Sequence, residues 1–163
     1  MNAPTTDASL TQAPYRGRQS VTLSLDSNAD QVFALMCPVR EYDWIEGWET
    51  ASIHTNSGLV ELDCVFETHS ANPHAAGINA VWVAADHDPA ARVLRLYKID
   101  PGVAVTRLDI SVVPHDAGCQ ATITYQLTAL SADGRKVVDG LTEEAYGAKM
   151  AEWKRDIEAY LAA

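Results

Sequence analysis

Long apolar runs, paired cysteines and basic charge are scarce in this sequence, and each shortage removes a class of function. No apolar stretch approaches the roughly 20 residues that cross a bilayer, so no membrane span is expected. Twelve Lys and Arg stand against 22 Asp and Glu in 163 residues, a formal charge of −10. The few cations are scattered, and such a surface repels a phosphate backbone, so no nucleic-acid partner is expected. The three cysteines, Cys37, Cys64 and Cys119, are odd in number and widely spaced, with no CxxC. They read as buried free thiols rather than a disulfide framework. Gly-rich phosphate loops, GxSxG and HExxH are missing as well, which counts against nucleotide, serine-hydrolase and zinc-protease chemistry. No cofactor is expected.

What remains is a chain of one-domain size whose 47% hydrophobic content suits a globular core. Met1 to Gly17 lacks a basic leader followed by an apolar stretch. Residues 1–17 therefore read as a flexible N-terminal tail before a single domain at 18–163, with a cytoplasmic location. From Arg18 to Leu25, Val21, Leu23 and Leu25 alternate with Thr22 and Ser24, the period of a half-buried strand. Asp26, Ser27 and Asn28 offer helix-capping oxygens, and Val32, Phe33, Leu35 and Met36 follow at helical spacing until Pro38. A second helical turn is expected from Pro38 to Trp44, with Gly47 permitting a sharp turn into a strand from Trp48 to about Thr55.

Period-two segments then recur. Leu62, Cys64, Phe66 and Thr68 share a face; a break at Pro73–Gly77 precedes a strand from Ile78 to Ala85 carrying Trp82; the next runs from Val93 to Ile99. Thr106, Leu108, Ile110 and Val112 share a face of a long strand, and Ile123, Tyr125 and Leu127 share a face of its successor. Tyr97 keeps an undecided direction, since it shares parity with Arg95. After Asp133 and Gly134 the period changes to that of a helix, from about Val138 to Tyr160, with Leu141, Ala145, Ala148, Trp153, Ile157 and Leu161 near one stripe. Short turns between consecutive strands imply antiparallel pairing. The expected fold is α+β: a curved antiparallel sheet of about seven strands gripping one long C-terminal helix, with two short helices after the first strand.

The stretch Cys37-Pro38-Val39-Arg40-Glu41-Tyr42-Asp43-Trp44-Ile45-Glu46-Gly47-Trp48 and the later Asp63-Cys64-Val65-Phe66-Glu67-Thr68, set in this order of elements, resemble bacterial members of the START-related helix-grip superfamily. Within it the chain is most similar to the small SRPBCC proteins grouped with polyketide cyclases and lipid-transfer domains. The resemblance covers about Arg18 to Leu161. It implies a deep hydrophobic cavity between sheet and long helix, used by different members for lipid binding, hormone binding, aromatic-ring cyclisation or co-chaperone contacts. It does not imply one reaction.

Candidate residues follow. Trp44 and Trp48 form either an aromatic gate to the cavity or two packing anchors at the helix-to-strand corner. Phe66, Trp82, Leu108, Tyr125, Tyr146, Met150 and Trp153 fall on the expected inner faces, as pocket lining or as plain core. Arg40 and Glu41 are weak catalytic candidates with Tyr125: an Arg can clamp a carboxylate and a partly desolvated Glu can act as a base, while a structural ion pair or a solvated face is the simpler reading. Cys64 and His69 are five apart with opposite strand parity, which speaks against a shared metal, and none is expected. His74, His87 and His115 fall in polar turns. The functional expectation is binding of a hydrophobic or aromatic small molecule. The alternatives are a cyclase or dehydratase-type enzyme acting on a polyketide-like substrate and a protein-interaction module; a homodimer stays open.

Overall fold

A computed structural model describes residues 12–70 and 78–163. The expected break at Pro73–Gly77, His74 within it, and most of the expected tail lie outside the described residues. Seven strands, β1 (Arg16–Leu25), β2 (Ser52–His54), β3 (Val65–His69), β4 (Asn79–Asp88), β5 (Val93–Asp100), β6 (Ala104–His115) and β7 (Gly118–Ala129), form one sheet in the order β1-β7-β6-β5-β4-β3-β2. Every neighbouring pair is antiparallel. The chain therefore meanders from β2 to β7, and β1 closes the far edge beside β7. The strand begins at Arg16, two residues ahead of the expected boundary, because Ala129 donates its backbone N–H to Tyr15 and prolongs the β1–β7 ladder. β2 is confined to Ser52–His54 rather than running from Trp48.

Helix α1 (Ala29–Leu35) and a 3-10 turn (Arg40–Asp43) connect β1 to β2. Asn28 caps α1 by accepting the Asp30 and Gln31 N–H groups at 2.8 and 3.4 Å, two donors the helix cannot satisfy itself. Asn28→Ala is expected to cost about 1 kcal/mol and to lower the melting temperature by about 2–4 °C. Thermal denaturation checks it, and an unchanged midpoint would mean that packing alone holds α1. Gly47 takes the left-handed conformation, φ 72°, and lets the chain turn sharply after Trp44.

Alternation sets the two faces. Cys64, Phe66, Thr68, Leu94, Leu96, Thr106, Leu108, Ile110 and Val112 are buried on the inner face, whereas Arg95 pairs with Asp109 at 2.5 Å on the outer one. Tyr97, in register with Arg107, goes with Arg95 to the outer face. Leu62 departs from the expected pattern and is 57% exposed: it precedes β3 in a turn where Asp63 has φ 64°, so the alternation does not yet apply. A bulge between Ala84 and Asp86 bends β4. His87 then lies in that strand rather than in a polar turn, its ring stacked 6.0 Å from Phe33.

The C-terminal segment is two helices, α2 (Ala132–Asp139) and α3 (Glu143–Ala162), instead of one starting at Val138. Ser131 and Thr142 each cap a helix through the side-chain oxygen, and Gly140 sits between them. Gly134 explains how α2 docks: a Cβ there would lie 1.9 Å from the Val103 carbonyl oxygen. The break resets the phase of α3. Its inner stripe is Tyr146, Met150, Trp153, Ile157 and Leu161, with Tyr146, Met150 and Ile157 buried, whereas Ala145 and Ala148 face outward. No helix among the described residues is long and apolar enough to cross a membrane.

Candidate functional site

The inner face of the sheet is apolar at the end near α1 and polar toward the opposite end. Cross-strand register places Phe66, Trp82, Lys98 and Thr106 in one row across β3 to β6, and Leu96, Leu108 and Tyr125 in the adjacent row across β5 to β7. Phe66 and Trp82 stack, with ring centroids 5.3 Å apart and planes at 10°. The Trp82 indole N–H donates to the Thr68 hydroxyl at 3.0 Å, and the Lys98 ammonium lies 5.6 Å from its ring while pairing with Asp100 at 3.0 Å. The Lys98 side chain thus belongs to the inner face, alongside Leu94 and Leu96.

Helix α3 supplies the opposite wall. Tyr146 donates its hydroxyl to the Ile123 carbonyl at 2.8 Å, fixing the helix to β7, and its ring meets Tyr125 edge-on at 5.6 Å. One turn on, the Lys149 ammonium sits 5.1 Å from the Tyr125 ring and 6.0 Å from that of Trp153. Burial lowers the Lys149 pKa, and the Lys98 charge lowers it further. Burial also raises the Tyr125 hydroxyl, with the Glu41 charge acting in the same direction. Yet Lys149 is exposed and Tyr125 only half-buried by surface area. Both conditions hold together when protein packs densely around one side of a group and leaves its other side open, so that bulk water is partly stripped from it.

The third polar group comes from the 3-10 turn. Glu41 is 7% exposed, and among the described residues no donor reaches its carboxylate. Desolvation pushes its pKa up to about 8, opposed only in part by Lys149. Glu41, Tyr125 and Lys149 thus converge from three separate elements.

The sequence candidates sort differently from expectation. Arg40 does not pair with Glu41; it binds Asp43 at 2.5 Å and donates to the Tyr160 hydroxyl at 3.2 Å. It borders a separate surface recess of about 350 Å³ with Phe33, Cys37 and Val60. The turn explains the split, because consecutive residues of a 3-10 turn, with three residues per turn, point about 120° apart. Trp44 and Trp48 donate their indole N–H groups to the Leu35 and Pro38 carbonyls, each at 2.9 Å, so neither keeps a free donor. Trp44 packs edge-on against Trp153 at 5.4 Å. Leu108 and Met150 are fully packed core. Burial raises the Cys64 and Cys119 thiols, the wrong direction for nucleophiles. His69 is exposed on the face opposite Cys64.

Lys149 and Lys98 are the polar residues that the sequence reading missed. Lys149 carries a signal in retrospect: it stands three after Tyr146 and four before Trp153, which sets it on the exposed flank of the inner stripe with its ammonium over the Tyr125 ring.

No family model and no curated protein matches the sequence. Solved structures match it in shape. Norcoclaurine synthase from Thalictrum flavum superposes with a TM-score of 0.64 at 13% identity, over 91% of this chain and 88% of that one, and has also been solved in complex with dopamine and hydroxybenzaldehyde. The Zhui aromatase/cyclase from Streptomyces sp. R1128 gives 0.63 at 18%, over 90% and 96%. Ara h 8.0201 gives 0.60 at 12%, over 91% and 99%. The chain has the START-related helix-grip fold that its sequence resembles.

Proposed function

We propose that the protein binds a hydrophobic or aromatic small molecule, with one polar end, in the recess between the inner face of the sheet and α3. The observation that carries this reading is the Glu41 carboxyl, desolvated and within charge range of Tyr125 and Lys149, with no hydrogen-bond donor to it among the described residues. A hydrogen bond contributes about 0.5–1.5 kcal/mol net, more to a charged group, and a ligand's hydrogen-bonding end supplies one to this carboxyl. Trp82, Tyr125 and Trp153 offer aromatic faces to the ligand's body, and burial of its apolar surface contributes roughly 25 cal/mol per Å². Two fold neighbours support the reading by analogy, one solved with dopamine and hydroxybenzaldehyde and the other an aromatase/cyclase.

Thermal denaturation against fatty acids, sterols and hydroxylated aromatics tests it. A genuine ligand at a hundredfold excess over Kd stabilises by about 2.7 kcal/mol, several degrees of melting temperature. Tyr125→Phe, which removes a hydroxyl and no apolar contact, should weaken binding on the order of 2- to 10-fold and leave the unliganded midpoint nearly unchanged. A flat response across the panel would sink the proposal.

A second reading, an enzyme of the cyclase or dehydratase type, is favoured by one observation. A carboxyl held at about 8 can give or take a proton near neutral pH. Turnover that survives Glu41→Gln would remove Glu41 from any such mechanism.

A further inference from the structure

The two edges of the sheet differ. β2 is three residues long, whereas β1 runs ten residues beside β7 with no register shift and carries no proline, bulge or inward-facing charge, the devices that blunt an edge. In an antiparallel pair, alternate residues exchange their backbone bonds with the neighbour and the others aim theirs away. The β1–β7 register sets Arg16 opposite Thr128, and Ala129 donates its N–H to the Tyr15 carbonyl at 2.9 Å, so the odd-numbered residues of β1 bond to β7. The N–H and C=O groups of Arg16, Arg18, Ser20, Thr22 and Ser24 therefore point off the sheet, and all five residues are exposed. Lys154 caps the Ser24 carbonyl at 2.8 Å; among the described residues nothing bonds to the outward backbone groups of Arg18, Ser20 and Thr22. Helices α2 and α3 cover the inner face of β1, with Val138 beside Gly17 and the Leu141 carbonyl bonded to Gln19. An open groove of about 630 Å³ separates Ser20 from the start of α3, bordered by Val21, Glu143, Glu144 and Gly147. A Cβ on Gly147 would meet no atom within 4 Å.

We propose that this edge is the contact surface of a homodimer, in which the β1 strands of two copies pair antiparallel about a twofold axis at Ser20 and join the two sheets into one. Ser20 then meets Ser20 of the partner subunit, Arg18 meets Thr22 of the partner subunit, and Arg16 meets Ser24 of the partner subunit. The pairs at positions 18, 20 and 22 each exchange two backbone bonds, which satisfies the groups left unbonded in the single chain. Ser24, already capped by Lys154, ends the ladder. Charge selects both a second copy and this register. β1 holds Arg16 and Arg18 and no acid, and Arg18 has no ion-pair partner among the described residues. Centring on Ser20 puts no arginine opposite another, whereas centring on Arg18 would oppose that residue to its own copy. Glu143 and Glu144, exposed in the first turn of α3 and paired with no cation among the described residues, lie along the same edge and complement the two arginines that a second β1 brings. The groove beside Gly147 takes the inward-facing side chains of the added strand. Because both copies use the same patch, the contact closes as a dimer and adds no further chains.

Analytical ultracentrifugation and cross-linking of the full chain test it. At high concentration the protein is expected at twice its 17.7 kDa chain mass, and dilution should recover the single chain. Arg18→Pro removes one outward N–H and a side chain without partners, and an edge strand accepts proline where the N–H faces solvent. This variant should keep its circular dichroism spectrum and show single-chain mass at every concentration. Ser20→Cys adds an accessible thiol to a chain whose own three cysteines are buried. Facing residues of a hydrogen-bonded pair lie about 5.5 Å apart, within the reach of a disulfide. Under a mild oxidant Ser20→Cys should therefore link into dimers on the order of tenfold faster than Ala117→Cys, whose thiol lies in the exposed turn between β6 and β7. Single-chain mass of the unsubstituted protein at every concentration overturns the proposal. A doubled mass that persists in Arg18→Pro, or equal linking by the two thiols, overturns it as well.

Discussion

Glu41→Gln is expected to raise stability by about 2–4 kcal/mol above pH 8 and to leave it nearly unchanged near pH 5. At low pH the buried carboxyl is protonated, neutral and close in shape to an amide. As pH rises past the ordinary carboxyl value of 4.5, the unfolded chain releases this proton while the folded chain keeps it up to about 8. The folded state then binds more protons than the unfolded one, so stability falls with rising pH across that window and levels off above it. At about 1.4 kcal/mol for each tenfold change in proton affinity, the rise sets an upper bound of roughly 5 kcal/mol. Water reaching the recess brings the realised value below that bound. Lys149 acts with the opposite sign and in a different range. Its lowered pKa makes the unfolded chain the better proton binder at alkaline pH, so it adds stability as pH climbs toward the ordinary lysine value. Denaturant unfolding of both proteins, near pH 5 and just above pH 8, isolates the Glu41 contribution. An equal difference at the two pH values, or a loss of stability at the higher one, would show an ionised carboxylate with a partner and would undo the candidate site.

The strands were legible because their signal is local. Thr106, Leu108, Ile110 and Val112 alternate with polar residues, and any inner-facing strand must alternate in that way; all four are buried where the alternation puts them. The cap at Asn28 and the turn at Gly47 are equally local and stand where the residue types require. Helix phase was harder. A stripe counted from Leu141 treats Gly140 and Thr142 as helix interior, whereas the chain breaks there and restarts from the Thr142 cap. That slip moves Ala145 and Ala148 outward, whereas Tyr146 and Met150, already named among the inner-face candidates, are buried. The polar part of the site was hidden for a related reason. Lysines on a sheet or helix read as solvent-facing; only the register beside Trp82 puts Lys98 on the inner face, and only the contact with the Tyr125 ring brings the exposed Lys149 next to it. Glu41 was named, but as an ion-pair partner of Arg40 or part of a solvated face, since adjacency in sequence says nothing about direction around a tight turn.

Trp44→Ala is expected to cost about 3–5 kcal/mol, the range for truncating a buried tryptophan, and to weaken ligand binding together with stability. Trp44 is 7% exposed and belongs to the turn that carries Glu41, with its backbone N–H donated to the Glu41 carbonyl at 3.3 Å. Its indole ties that turn to the end of α1 through Leu35 and touches Trp153 on α3. The ring therefore braces the Glu41 wall of the recess against the Lys149 wall, and its loss leaves a cavity between two elements that no other described ring pair joins. Trp44→Phe keeps most of the ring but strands the Leu35 carbonyl, so it should cost less, about 1–3 kcal/mol. A gate behaves in another way. If Trp44 swung aside to admit ligands, the alanine variant would keep most of its stability and exchange ligand faster, with equilibrium affinity little altered. Denaturant midpoints measured beside stopped-flow dissociation rates separate the two, and a midpoint loss below about 1 kcal/mol with accelerated release would restore the gate and dismiss the brace.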